Sequence, residues 1–190
     1  NKSAVIFGGN IAVTCYAPIS YISAVVMLLM QGVSDGSQPL ISLAYGEGKH
    51  DTTKAVRDLA YRFAFGVAVV CSVVLFLLRG SAAHLFGASE QVTMLVAQIL
   101  PIFIIGFVFV SVSRVTTAYF YATGKNLWAY ILIYGEPLTL CILLLILPNA
   151  MGSVNGTWVS VPLSQIIAML LSLLLIHKNR TLEHQLPSHE

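Results

Sequence analysis

Long apolar stretches separated by short polar ones set the pattern of the chain. Five stretches stand out, at about Ile11–Ala44, Leu59–Leu78, Val92–Ala122, Leu127–Leu147 and Val159–Ile176. A bilayer core of about 30 Å needs about 20 mostly apolar residues per helix, and each stretch is of that order or longer. The polar connections are Gly46–Arg57, Arg79–Gln91, Thr123–Asn126 and Pro148–Thr157. Backbone groups in lipid must bond within their own segment, so the pattern predicts helices. A β-barrel would show short alternating segments, and none is present. The expectation is an all-α integral membrane protein with five transmembrane helices, a membrane domain over residues 1–177 and a tail over 178–190. The first stretch is no secretory signal, because it has no basic start and further spans follow it.

Composition points the same way. Of the 190 residues, 57% are apolar and 9% are charged, against roughly 45–50% and about 25% in soluble domains. So few charges do not cover the surface of a small soluble fold. A net charge of +2 gives no argument for nucleic acid as a partner. Cys15, Cys71 and Cys141 lie inside apolar stretches without metal or redox spacing, and are expected to act as buried apolar residues.

Charge adds orientation. Lys49, Lys54, Arg57, Arg62, Lys125, Lys178 and Arg180 fall on one side of the spans, and Lys2 and Arg79 on the other. The richer side is expected to be cytoplasmic, with the tail inside and the N-terminus outside. The chain begins at Asn1 rather than Met. With an outside N-terminus and no signal, this leads to the expectation that an earlier helix precedes it.

Three ionisable residues lie within the spans: Asp35, Arg114 and Glu136. Each costs about 2.5–3.5 kcal/mol at the bilayer centre on insertion scales, so each calls for a partner or a role. Counted from Tyr45, Gly124 and Lys125, and at about 1.5 Å per residue, all three fall roughly 15 Å from the basic side, near the midplane. Gln165 falls at the same depth. The third and fourth spans form a hairpin about Gly124–Lys125, which sets Arg114 opposite Glu136. The pair is expected either to be a structural ion pair or to leave one carboxylate over for a proton or cation. Pro39 and Pro137 free the carbonyls of Asp35 and Ile133, and Gln38 precedes the first of these prolines. Pro18 also interrupts the first span, and Pro101 and Pro162 the third and fifth. Gly32 and Gly36 make a small-xxx-small pair, expected at a close helix contact. Tyr119, Phe120, Tyr121 and Trp128 are expected in an interfacial belt, with Tyr119 a candidate for facing a cavity.

Other motifs carry little. Gly46-Glu-Gly-Lys49 lacks the strand, spacing and Ser/Thr of a phosphate loop, and Asn155-Gly-Thr157 is a sequon close to a span. The five histidines are scattered, and no metal site is expected. No catalytic constellation gathers at one interface, so no enzyme is expected either.

Three segments carry a resemblance: Gly32-Val-Ser-Asp-Gly-Ser-Gln-Pro-Leu-Ile-Ser-Leu-Ala-Tyr-Gly46, Tyr119-Phe-Tyr-Ala-Thr-Gly-Lys125, and the run from Gly152-Ser-Val-Asn-Gly-Thr-Trp158 to Pro162-Leu-Ser-Gln165. Their order and spacing resemble the C-terminal half of the multidrug and toxic compound extrusion (MATE) family. The resemblance implies twelve helices in two six-helix lobes, of which this chain would supply helices eight to twelve, as a partial C-terminal six-helix bundle. It implies export of cationic drugs in exchange for H⁺ or Na⁺, with no cofactor beyond the coupling ion, in a bacterial cytoplasmic (inner) membrane. The implied partners are membrane lipid and the N-terminal lobe. Where some branches place a coupling carboxylate in the tenth helix, this chain has Val112, with Arg114 close by. The candidate pathway residues are Asp35, Gln38, Arg114, Tyr119, Glu136 and Gln165. Two alternatives are a lipid-linked saccharide flippase of the same superfamily and a truncated or accessory membrane protein that does not transport.

Overall fold

The computed structural model describes the backbone of residues 2–185 and the side chains of residues 14–179. Five α-helices follow in order: α1 Lys2–Gly46, α2 His50–Leu78, α3 Glu90–Ala122, α4 Asn126–Met151 and α5 Asn155–Gln185. Each contains a segment long and apolar enough to cross a membrane. Among the described residues there is no strand. Of the tail expected at 178–190, the backbone to Gln185 continues α5, while residues 186–190 and the side chains from Arg180 onward lie outside the described residues, as does the side chain of Lys2.

The connections are shorter than the polar stretches suggested. Only residues 47–49 separate α1 from α2. The polar run after His50 is itself helical: Asp51 sits in the first turn, where a negative charge favours the helix N-terminus, and Lys54 lies 3.9 Å from it one turn on. The wider break between α2 and α3 holds a short 3-10 helix, Ala82–Phe86, and Ser89 then caps α3 by accepting a hydrogen bond from the Val92 N–H. Each of the four connections carries a glycine at positive φ, Gly48 at 72°, Gly87 at 71°, Gly124 at 71° and Gly152 at 57°, a conformation that costs other residues strain. The helices run unbroken through Pro18, Pro39, Pro101, Pro137 and Pro162.

α3 is the hub. It packs against α1, α2 and α5 and, at the Gly124 turn, against α4, while α1 pairs with α2 and α4 with α5. It is the most buried of the five, although Met94 and Ile105 stay exposed, whereas α2 and α4 are exposed along most of their length. This corrects two expectations. Tyr119 and Phe120 are buried rather than interfacial, in a cluster with Ile41, Ala129, Leu132 and Leu175, because α1, α4 and α5 enclose this end of α3. Of the cysteines only Cys15 is buried, and Cys141, on the peripheral α4, is exposed. At the opposite end Trp158 joins Tyr16 and Phe103 in a second cluster.

Small residues let the helices approach. Most buried serines and threonines bond back to a carbonyl three or four residues earlier, as Ser34 does to Met30, Ser113 to Val110, Ser160 to Gly156 and Ser172 to Ala168. A hydroxyl satisfied in this way needs no partner on another helix. The close contacts fall at Gly106, against Gln165 and Pro162, and at Gly156, against the backbone of Leu147 and Pro148. They do not fall at Gly32 or Gly36, which face open space. The α1 pair is therefore not a packing contact among the described residues.

Candidate functional site

Helical spacing on α1 gathers Gln31, Asp35 and Gln38 on one face, and on α3 it gathers Arg114, Thr117, Ala118 and Tyr121. With Ile133 of α4 these residues line a cavity of about 220 Å³. Gln31 Nε2 donates to Asp35 Oδ1 at 2.7 Å, which fixes that carboxylate. Arg114 Nη2 lies 3.8 Å from Glu136 Oε2, with both side chains partly buried. The Arg114 Nε is buried and meets no hydrogen-bond acceptor among the described residues. Asp35 and Ile133, whose carbonyls lose their helical donors to Pro39 and Pro137, both belong to this lining. Backbone acceptors freed inside a membrane are tolerated where they border a polar cavity.

The arrangement holds two carboxylates and one guanidinium. Asp35 and Arg114 line the cavity, and Glu136, outside the lining, offsets Arg114, so the three groups together hold one carboxylate more than guanidinium.

The structure brings Asp35, Gln38 and Arg114 together in this cavity and ties Glu136 to it through Arg114. It places the other two candidates elsewhere. Tyr119 is in the buried core, where Arg57 stacks over its ring at 5.1 Å, so it does not face this cavity. Gln165 is buried at the α3–α5 contact beside Gly106, with its Oε1 unpartnered among the described residues. Gln31 and Thr117 were missed in the sequence, although they lie one turn from Asp35 and Arg114 and periodicity alone could have found them. Arg57, expected on a polar connection, is buried two turns into α2. Its Nε and Nη2 both donate to Asp58 Oδ1, at 3.0 and 2.8 Å.

The profile of the MatE family matches residues 4–146. Solved structures are similar over almost the whole chain. An outward-facing multidrug resistance MATE family transporter of the MOP superfamily superposes with a TM-score of 0.87 at 16% identity, covering 97% of this chain and 42% of its own. A MATE in the bent conformation gives 0.85 at 17%, covering 94% and 40%. A MOP superfamily transporter from Pyrococcus furiosus, described as having a binding pocket of reverse polarity that suggests a different function, gives 0.86 at 19%, covering 94% and 40%. At these identities the likeness speaks for the fold. The chain spans about two fifths of the length of those transporters. No curated protein matches it.

Proposed function

The chain belongs to the MatE family and is a multi-pass membrane protein of that type, and from this premise we propose that it contributes the cation-handling half-site of a drug exporter. Its five helices would stand as helices eight to twelve, within the C-terminal lobe. In this reading the full transporter exchanges organic cations for H⁺ or Na⁺ across a bacterial cytoplasmic membrane. The basic end, with Lys49, Lys54, Arg62, Lys125 and Lys178, faces the cytoplasm.

The observation that carries the reading is the charge balance of the α1–α3–α4 cavity. Asp35 lines it beside Arg114, whose charge Glu136 offsets from outside the lining, and the carboxylate left over suits a cationic cargo or coupling ion. A saccharide-phosphate cargo would be suited by several basic side chains, and Arg114 is the single Lys or Arg lining this cavity. Transporter sites recur near the bilayer midplane between repeats that rock against each other. The N-terminal lobe would supply the facing wall and the other half of the pathway.

The test is cation-coupled efflux of a fluorescent organic cation from proteoliposomes holding the whole gene product. Asp35→Asn and Glu136→Gln are each expected to lower coupled efflux at least tenfold. Full efflux by the double variant would sink the proposal. The DNA upstream of Asn1 separates an exporter from an accessory protein: an in-frame N-terminal lobe supports the first, and a start codon near Asn1 with stable expression supports the second.

A further inference from the structure

A second depression lies on the other side of the hub helix. α2 and α5 both pack on α3, yet the main helix contacts do not join them to each other. The groove left between them has a volume of about 560 Å³, and Val112 of α3 lies in it, flanked by Phe65 of α2 and by Leu173 and Ile176 of α5. Arg57, Asp58, Tyr61 and Arg62 line it nearer the start of α2. The groove is therefore amphipathic along its length. It is apolar towards the level of Val112, about 18 Å from the Gly124 turn at 1.5 Å per residue, and charged towards the basic end of the bundle.

The charged end is built. Arg57 is buried and held by two hydrogen bonds to Asp58 and by the Tyr119 ring. Tyr61 and Thr116 are joined at 2.7 Å beneath it. Arg57 takes Asp58 Oδ1 twice, and Arg62 has no carboxylate within salt-bridge distance among the described residues, although Asp58 lies one turn before it. Two guanidiniums and one carboxylate leave a net positive charge where the groove opens.

We propose that this groove is a binding site for an anionic phospholipid, with the exposed Arg62 meeting the phosphate, the buried Arg57 adding its charge from beneath, and one acyl chain lying over Val112 between Phe65 and Leu173. Basic pockets between transmembrane helices suit anionic headgroups, and each Lys or Arg near the surface contributes about 1 kcal/mol of attraction. A guanidinium also matches a phosphate bidentately. A zwitterionic lipid gains no such net attraction, so the site distinguishes lipids by charge. The site lies on the α2–α5 side and is independent of the proposed transport cavity between α1 and α4.

The experiment uses the whole gene product purified in detergent. Retention of dioleoylphosphatidylglycerol is compared with that of dioleoylphosphatidylcholine by native mass spectrometry, alongside the thermal unfolding midpoint. The anionic lipid is expected to be retained and to raise the midpoint, and the zwitterionic lipid to do neither. Arg62→Gln, at an exposed position, should weaken retention about fivefold, while Lys125→Gln, at the same end but outside the groove, should leave it unchanged. Val112→Trp, which fills the apolar part, should reduce retention with both arginines in place. Equal retention of the two lipids, unaltered retention by Arg62→Gln, or no retention because another segment of the gene product occupies the groove would each overturn the proposal. The readout is lipid binding rather than efflux, so its failure is distinct from failure of the transport reading.

Discussion

Arg114 of α3 and Glu136 of α4 face each other across the hairpin closed by Gly124, with Nη2 3.8 Å from Oε2. The pair sits where the hub helix meets the most exposed helix of the bundle, and it links the charge of α4 to a cavity lined mainly from α1 and α3. A partly buried ion pair is weak evidence of net stability, because desolvation offsets attraction. Removing one partner is a different matter, since it leaves the other charge uncompensated.

That asymmetry predicts the outcome of a double-mutant cycle. Arg114→Gln alone should destabilise the protein more than Arg114→Gln with Glu136→Gln, with a coupling energy of about 0.5–3 kcal/mol. Thermal unfolding in detergent measures it. Additive losses would mean that the two groups do not interact.

The α3–α5 contact turns on Gly106. A Cβ there meets the Gln165 carboxamide and approaches Pro162 Cα at 3.3 Å, so Gly106→Ala should cost about 1–3 kcal/mol. Much of the loss should return in Gly106→Ala with Gln165→Ala, because the side chain is the atom group in the way. Failure of Gln165→Ala to rescue would place the obstruction at the helix backbone instead.

Gly156 and the α1 glycines should behave oppositely. A Cβ at Gly156 meets Leu147 C and Pro148 N at 2.6 Å. These are backbone atoms that cannot rotate away, so Gly156→Ala should lower the unfolding midpoint and loosen the α4–α5 turn. Gly32→Ala and Gly36→Ala enter open space. In the chain alone they should raise stability by about 0.5–1 kcal/mol each through helix propensity.

The Tyr61–Thr116 hydrogen bond joins α2 to the hub. The Thr116 hydroxyl already donates to the Val112 carbonyl at 2.8 Å, so in the 2.7 Å contact Tyr61 is the donor. Tyr61→Phe should cost about 1 kcal/mol. Tyr61→Phe in a Thr116→Val background should cost nearly nothing more, which chemical denaturation of the paired variants can show.

Much of the architecture could be read from the chain. The five spans, the hairpin about Gly124, the shared depth of Asp35, Arg114 and Glu136, and the family follow from properties local in sequence. Membrane insertion depends on the summed apolar character of about 20 consecutive residues. Depth depends only on a fixed rise per residue counted from a turn. The meeting of Arg114 with Glu136 follows from the same arithmetic, because a tight turn leaves two helices little choice of register.

Which face of a helix meets which neighbour is another kind of quantity. α3, α4 and α5 are apolar around most of their circumference, so amphipathic periodicity marks little of their inward faces, and the tertiary structure decides it. It made α3 the hub, and so buried Tyr119 and Phe120 that composition alone assigned to the interface. It drew Arg57 from an expected polar connection into the bundle, because Asp58 and the Tyr119 ring together satisfy its charge. It set Gln165 into the α3–α5 contact rather than the cavity, because Gly106, with no side chain, leaves room for its carboxamide there. Sequence determined how deep each polar group lies, since depth is a count along one helix. Structure determined which polar groups share a cavity, since that depends on the rotation of several helices about their axes, which a uniformly apolar surface does not encode.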